Sequence, residues 1–108
     1  MKELYEKKVV KFGGSSLASA EQMKKSADII LAEKSRRYVV PSAPGKRFSG
    51  DTKVTDMLIA SYRASEAKED FSSVFSCVEE RYRDIIDGLH MNLTLEPKFD
   101  KIKKALSD

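Results

Sequence analysis

The feature that most constrains this chain is its supply of strands. Two segments have the β-branched and aromatic composition of strands, KVVKF at Lys8–Phe12 and YVVPSA at Tyr38–Ala43, and a helical pattern lies between them. Strands joined by such a crossover are normally parallel neighbours with a right-handed connection. Pro41 indicates a strand end or a sheet edge, because proline has no N–H to donate.

A parallel pair of strands is too small to be a sheet that is stable alone, and parallel sheets normally need cover on both faces. The sequence therefore predicts an α/β fold in which this chain is the front part of a larger parallel-sheet domain. Residues 1–53 are the βαβ portion and residues 54–108 a helical segment. The remaining strands would come from further sequence or from a partner chain.

Helical periodicity sets the other elements. Ser19 with Gln22 matches the capping-box pattern, and the helix that follows is predicted to run to about Lys34 with one buried stripe, at Ala20, Met23, Ala27, Ile30 and Leu31. A helix is predicted from Thr55 to about Lys68. A second, with an apolar stripe from Phe71 to Leu89, should end at Gly88. Pro97 should open a third, with its inward side at Phe99, Ile102 and Leu106.

Composition excludes several classes of protein. The 108 residues are 41% hydrophobic and 34% charged, which is typical of a globular chain, and the net charge of +3 is too small and scattered to favour nucleic-acid binding. No apolar run approaches the roughly 20 residues of a membrane helix. MKELYEKK lacks a secretory signal, and the single cysteine permits no internal disulfide. We therefore expect a cytoplasmic location and no membrane partner.

The turn after the first strand has the composition of a phosphate site. Gly13, Gly14, Ser15 and Ser16 are expected to form a loop that leads towards a helix, with Lys11 adding positive charge beside it. Glycines let backbone N–H groups approach an anion closely. The spacing matches neither a Walker loop nor the dinucleotide fingerprint. A glycine pair also serves ordinary turns, and a solvated lysine at a strand end is the simpler interpretation of Lys11.

Three segments taken together are more specific. KFGGSS, then VVPSAPG, then TDML resemble the aspartokinases, within the wider amino-acid kinase family. The family has threonine where this chain has Ser15, which keeps the hydroxyl group. Ser42 and Thr55 match the second and third patterns. Some family members have a shorter loop between the glycine and the threonine, where this chain has Lys46 to Lys53. The resemblance covers residues 7–62. In the tail that follows, only the helical character of the sequence is similar.

The resemblance implies an ATP-dependent phosphorylation of the L-aspartate side chain to 4-phospho-L-aspartate, the first step towards lysine, threonine and methionine. Lys11 would be catalytic and would neutralise the transferring phosphoryl group. Thr55 would bind aspartate. ATP with Mg²⁺ and assembly as a homo-oligomer are further implications. The phosphate of ATP would be bound by Lys11, Phe12, Gly13, Gly14, Ser15, Ser16 and Ser42.

Other family features do not occur in this sequence. They are a Ser-x-Gly-Glu motif with a substrate-binding glutamate, the catalytic aspartate, the nucleotide-base pocket and the regulatory domains. No metal ligand is assigned. We therefore expect the chain alone to be inactive. The alternatives are another member of the amino-acid kinase family, a non-catalytic interaction module, or an anion sensor that uses the glycine loop without chemistry.

Overall fold

The fold is described from a computed structural model, which covers residues 6–108. A short 3-10 helix at Gly14–Leu17 follows the first strand, so the segment expected to be a loop is partly helical. The strands and α-helices occur in the order β1 (Lys8–Phe12), α1 (Ala20–Leu31), β2 (Arg36–Pro41), α2 (Val54–Glu66), α3 (Ser72–Gly88) and α4 (Glu96–Ser107).

Within the described residues, β1 and β2 form a two-stranded parallel sheet, which confirms the predicted α/β architecture. Lys11 pairs with Val40 and Phe12 with Pro41, so both strands end at the same edge. The Ser42 N–H donates to the Phe12 carbonyl oxygen at 3.1 Å and ties the two exits together. The prediction placed β2 two residues too late, because the strand begins with two arginines, the first half-buried and the second exposed, which β-propensity does not mark.

Helix α1 begins as predicted but does not bury the predicted stripe. The Ser19 hydroxyl oxygen accepts a hydrogen bond from the Gln22 N–H at 3.3 Å. Leu31 is 81% exposed and Ala27 is also exposed, whereas Ser26 is buried and its hydroxyl donates to the Ser16 carbonyl oxygen at 2.9 Å. Periodicity identifies the apolar side of a helix, but burial also requires a neighbour that covers it.

The largest cluster of buried apolar side chains lies in the helical part, at Val54, Phe75, Val78 and Phe99. The Phe75 and Phe99 rings meet edge to face with centroids 6.3 Å apart. Full burial of such a side chain is worth about 1.5–3 kcal/mol. Ile102, expected to point inward, is 40% exposed, because α4 packs through its first and last turns. This cluster fixes α2, whose first residue is Val54, against α3.

The C-terminus of α3 differs from the prediction in its mechanism. Gly88 is the last helical residue, and a Cβ there would lie 2.5 Å from the Ala20 Cβ. The glycine therefore allows α1 and α3 to approach closely. His90 takes the left-handed conformation at φ 54° that ends the helix, and Met91 N–H donates to the Ile86 carbonyl oxygen at 3.1 Å.

Among residues 6–108, no helix is both long and apolar enough to cross a membrane. The radius of gyration is 16.8 Å, larger than the roughly 13 Å of a compact domain of about 100 residues. The two-stranded sheet contributes to this larger radius because little of the described chain packs against it: Val9 is 69% exposed and Val40 is 48% exposed. Large apolar side chains on the sheet are thus left uncovered by the described residues.

Candidate functional site

The candidate site is built where two glycine-bearing loops cross at the carboxyl ends of the strands. The Gly45 N–H donates to the Gly14 carbonyl oxygen at 2.8 Å. A Cβ on Gly45 would lie 2.6 Å from the Gly14 carbonyl carbon, and a Cβ on Gly14 would lie 3.0 Å from the Gly45 Cα. Each position therefore excludes a side chain because the opposing backbone fills that space. The crossing fixes the loop after β1 directly against the loop after β2.

The loop after β1 presents its backbone to the cleft. It turns at once into the 3-10 helix, in which Ser16 N–H donates to the Gly13 carbonyl oxygen at 3.1 Å. The first N–H groups of a helical turn have no acceptor inside it, so those of Gly14 and Ser15 could donate to an anion. A Cβ on Gly13 would meet nothing within 4 Å. Packing among the described residues thus gives no reason for glycine at this position.

A cleft of about 460 Å³ lies beside the crossing. Four of the eight site residues expected from the sequence line this cleft: Gly14, Ser15, Ser42 and Thr55. Thr55 is exposed and is the second residue of α2. Because the N-cap of this helix is Lys53, the Thr55 hydroxyl group is not the helix cap. The other lining residues are Ala43, Pro44, Gly45, Lys46 and Lys53.

Four predicted residues lie outside that lining. Lys11 is exposed one position before the end of β1, and Phe12 is buried at the end of it. Gly13 precedes the 3-10 helix, and Ser16 lies within it. All four are thus in or next to the phosphate-loop candidate. Its cleft wall is formed by Gly14 and Ser15.

The cleft lining is cationic. Lys46 and Lys53 both line it, and no carboxylate does so among the described residues. Lys53 is also the N-cap residue of α2, where it makes no side-chain capping bond. A cation at a helix N-terminus opposes the helix dipole. An anion bound in the cleft would offset this unfavourable placement, and the hydroxyl groups of Ser15, Ser42 and Thr55 would add hydrogen bonds.

Sequence reasoning missed the charged cluster behind the cleft. Arg47 forms two side-chain hydrogen bonds to Asp51, the shorter from Nε to Oδ2 at 2.7 Å, and Arg81 Nη1 lies 3.5 Å from the same oxygen. Hydrogen bonds from Arg47 hold the pKa of Asp51 well below its ordinary range. Burial and the charge of Arg47 lower the pKa of Arg81. One signal was present in the sequence: Arg81 falls between Val78 and Ile85 on the apolar side of α3.

The described residues contain no group of three or more histidine, cysteine, aspartate or glutamate side chains that could hold a metal ion. Oxygen ligands, usually including a carboxylate, are what Mg²⁺ requires from a protein. The oxygen atoms that the described wall of the cleft offers are those of hydroxyl and backbone carbonyl groups, and its charged groups are the two lysines. These residues by themselves therefore do not fit a magnesium site.

Comparison with known proteins gives two close matches. The chain is 44% identical over 91 residues to aspartokinase 3 of Bacillus subtilis (strain 168), an alignment that covers 84% of this chain and 20% of that protein. A crystal structure of Clostridium acetobutylicum aspartate kinase, described as an allosteric enzyme, superimposes with a TM-score of 0.87 at 38% identity. That match covers 92% of this chain and 23% of the other.

No family model matches the sequence. The chain spans about one fifth of the length of the curated relative. The similarity therefore concerns one segment of a longer type of polypeptide. Within that segment, the TM-score of 0.87 shows that the fold is shared.

Proposed function

The chain belongs to the aspartokinase family, and we propose that it forms the part of an aspartate kinase that holds the transferring phosphate of ATP beside the side-chain carboxylate of L-aspartate. The observation that carries this proposal is the crossing of the Gly14 and Gly45 backbones. It supports one cleft bordered by backbone N–H groups, three hydroxyl groups and two lysines. Such a lining suits two anions that must approach each other.

The proposed reaction moves the γ-phosphoryl group of ATP to a carboxylate oxygen of aspartate. The bond from that phosphorus to the bridging oxygen of ADP breaks as the new phosphorus–oxygen bond forms, and the products are ADP and 4-phospho-L-aspartate. Phosphoryl transfer depends mainly on positioning and on charge stabilisation. No proton is abstracted from the carboxylate, since it is already ionised at neutral pH.

In this proposal the loop after β1 binds phosphate. The N–H groups of Gly14 and Ser15 donate to phosphate oxygens, and Gly13 leaves room for close approach. Lys11 extends from the end of β1 and neutralises charge on the transferring group. Phe12 and Ser16 act through the backbone, the first by accepting the Ser42 N–H and the second by closing the turn onto Gly13.

The opposite wall would bind the amino acid. Thr55, at the first turn of α2, donates to a carboxylate of aspartate, and Ser42 lies between the two substrates. Lys46 and Lys53 add positive charge that would attract the two carboxylates of aspartate. These two lysines are an addition to the residues expected from the sequence.

Magnesium normally accompanies ATP in kinases, where it neutralises phosphate charge. The described residues of this chain do not fit a magnesium site, so in the proposal they act on the substrates without holding the metal. The base and ribose of ATP, the metal ligands, regulation by amino acids and homo-oligomer assembly are assigned, within the proposal, to sequence equivalent to the rest of the relatives. We place the protein in the cytoplasm, in the pathway to lysine, threonine and methionine.

The test is an acyl-phosphate assay on the complete protein that contains this chain. The protein is mixed with ATP, Mg²⁺ and L-aspartate, and hydroxylamine traps any acyl phosphate as a hydroxamate. We expect hydroxamate and ADP in equal amounts, and a lower yield for Ser42→Ala. The matched control is Ser49→Ala, an exposed loop serine outside the cleft, which should behave as the unsubstituted protein does.

Two results would contradict the proposal. Hydroxamate formed with another carboxylate, and not with aspartate, would indicate a sibling amino-acid kinase. Binding of inorganic phosphate without any transfer would favour an anion-sensing module.

A further inference from the structure

Arg81 is a charged residue in an apolar setting. It lies on α3 with 3% relative exposure, between the buried Val78 and Ile85. A buried ion pair is weak evidence for stability, because an apolar side chain of similar volume often serves as well. The role of Arg81 therefore depends on the groups that its guanidinium contacts.

The guanidinium donates to three backbone carbonyl oxygens. Its Nη1 donates to Thr52 at 2.9 Å, and its Nη2 donates to Ala18 at 3.1 Å and to Gly45 at 2.5 Å. These acceptors are 29, 63 and 36 residues away in the sequence. One rigid guanidinium fork thus connects three segments that are far apart in the sequence.

Each acceptor lies next to a different part of the cleft in the sequence, and Gly45 also lines it. Ala18 directly follows the 3-10 helix of the phosphate loop, and Gly45 is at the crossing of the loops. Thr52 directly precedes Lys53, the cap of α2, so it sets where Thr55 lies. The guanidinium is therefore positioned to define the separation between the phosphate wall and the amino-acid wall.

A second set of contacts fixes the guanidinium itself. Asp51 lies 3.5 Å from Arg81 Nη1, and Asp51 is held by the backbone N–H of Arg47 at 3.0 Å and by its Nε at 2.7 Å. The Asp51 side chain is 7% exposed, so this ion pair is largely shielded from solvent. Lysine could not replace the arginine, because an ammonium is a point charge without a planar fork.

We propose that Arg81 is a positioning residue, which sets the spacing of the two cleft walls by holding the backbones of Ala18, Gly45 and Thr52. The inference rests on the proposed function of the cleft. Arg81 contacts neither substrate. It acts through the loops that do.

The test compares three variants of the complete protein that contains this chain. Arg81→Lys keeps the charge and loses the fork. Arg83→Lys is the matched control, since Arg83 is half-exposed on the same helix and pairs with Glu79 and Glu96. Ile85→Ala is the control for stability, because Ile85 is buried on α3 and does not line the cleft.

We measure kcat and KM in the hydroxamate assay, ADP affinity by calorimetry, and the melting temperature. A misplacement of about 1 Å can cost about 100-fold in rate, so Arg81→Lys should lower kcat/KM by about that factor and also weaken ADP binding. Arg83→Lys and Ile85→Ala should each change kcat/KM by less than about threefold, although Ile85→Ala lowers the melting temperature.

Near-normal kcat/KM in Arg81→Lys would overturn the inference, as would an equal loss in Ile85→Ala, which would indicate a merely structural role. If Arg81→Lys does not fold, proton NMR of the unsubstituted protein decides. Separate, slowly exchanging Nη–H resonances of Arg81 support the contact with three carbonyl groups, and a freely rotating guanidinium contradicts it.

If the unsubstituted protein makes no acyl phosphate but binds ADP, the proposed function fails and ADP affinity still tests Arg81. If it binds no ADP, both are overturned.

Discussion

Replacement of Gly45 by alanine tests the loop crossing on which the site depends. The new Cβ would lie 2.6 Å from the Gly14 carbonyl carbon and 2.9 Å from its carbonyl oxygen. It must retreat by about 0.8 Å to reach ordinary contact at 3.4 Å, and the obstacle is backbone, which moves less readily than a side chain. The 2.8 Å hydrogen bond from Gly45 N–H to the Gly14 oxygen would be stretched by the same movement.

The magnitude follows from these two effects. Overpacking costs about 1–3 kcal/mol, and the lost hydrogen bond about 0.5–1.5 kcal/mol. Alanine recovers about 0.4–1 kcal/mol because it restricts the unfolded chain. We therefore expect Gly45→Ala to lower the free energy of unfolding by about 0.5–4 kcal/mol, read from the midpoint of urea unfolding followed by circular dichroism.

Gly13→Ala is the matched control, because a Cβ there meets nothing within 4 Å and the backbone is extended at φ −74°. Its stability should be unchanged or raised by up to about 1 kcal/mol. Its phosphate affinity should nevertheless fall, since the methyl group would enter the space assigned to the ligand. Equal stability of Gly45→Ala and Gly13→Ala would refute the crossing, and normal ADP affinity in Gly13→Ala would remove that glycine from the phosphate site.

The remaining predictions concern charge, substrate, pH and association. Lys11→Ala should lower kcat by about 100-fold with little change in the KM for aspartate, because its charge acts mostly on the transferring group; steady-state kinetics showing near-normal kcat would exclude this role. Thr55→Val should raise the KM for aspartate and leave that for ATP unchanged, and the reverse pattern would put Thr55 on the wrong wall. The pKa of Asp51 is lowered in the folded protein, so its contribution to stability is complete above the ordinary carboxylate pKa and is lost as the pH falls towards the lowered value. The melting temperatures of Asp51→Asn and of the unsubstituted chain should therefore converge in acid. A difference that stays constant with pH would contradict the assignment. The 108-residue chain should self-associate through the exposed sheet around Val9 and Val40, whereas light scattering of a monomer at all concentrations would oppose this.

Local signals in the sequence were sufficient for the parts of the fold that depend on near neighbours. The Ser19 cap, the crossover from β1 to β2 and the buried side of α3 follow from hydrogen-bonding capacity and hydrophobic spacing within a few residues. Ser42 and Thr55, both assigned to the site from the sequence, line one cleft. Ser42 could be expected near the loop after β1, because parallel strands bring their carboxyl ends to one edge of a sheet.

Properties that depend on distant contacts were missed. The stripe ending at Leu31 lies uncovered, since burial requires a partner surface that periodicity cannot supply. Gly88 is needed for its closeness to Ala20, and His90 performs the helix termination expected of the glycine. Arg81 interrupts the apolar side of α3 but was not singled out from the sequence, and its carbonyl acceptors come from far along the chain, so spacing alone could not assign them.

The most direct test of the central claim is a crystal structure of the complete protein with a non-hydrolysable ATP analogue and L-aspartate. We expect the terminal phosphate to lie within hydrogen-bond distance of the Gly14 and Ser15 N–H groups, with Lys11 beside it. We expect an aspartate carboxylate to bind at Thr55, and the Gly45 backbone still to cross that of Gly14. Phosphate and aspartate bound together elsewhere, with this cleft filled by side chains, would contradict the proposed site.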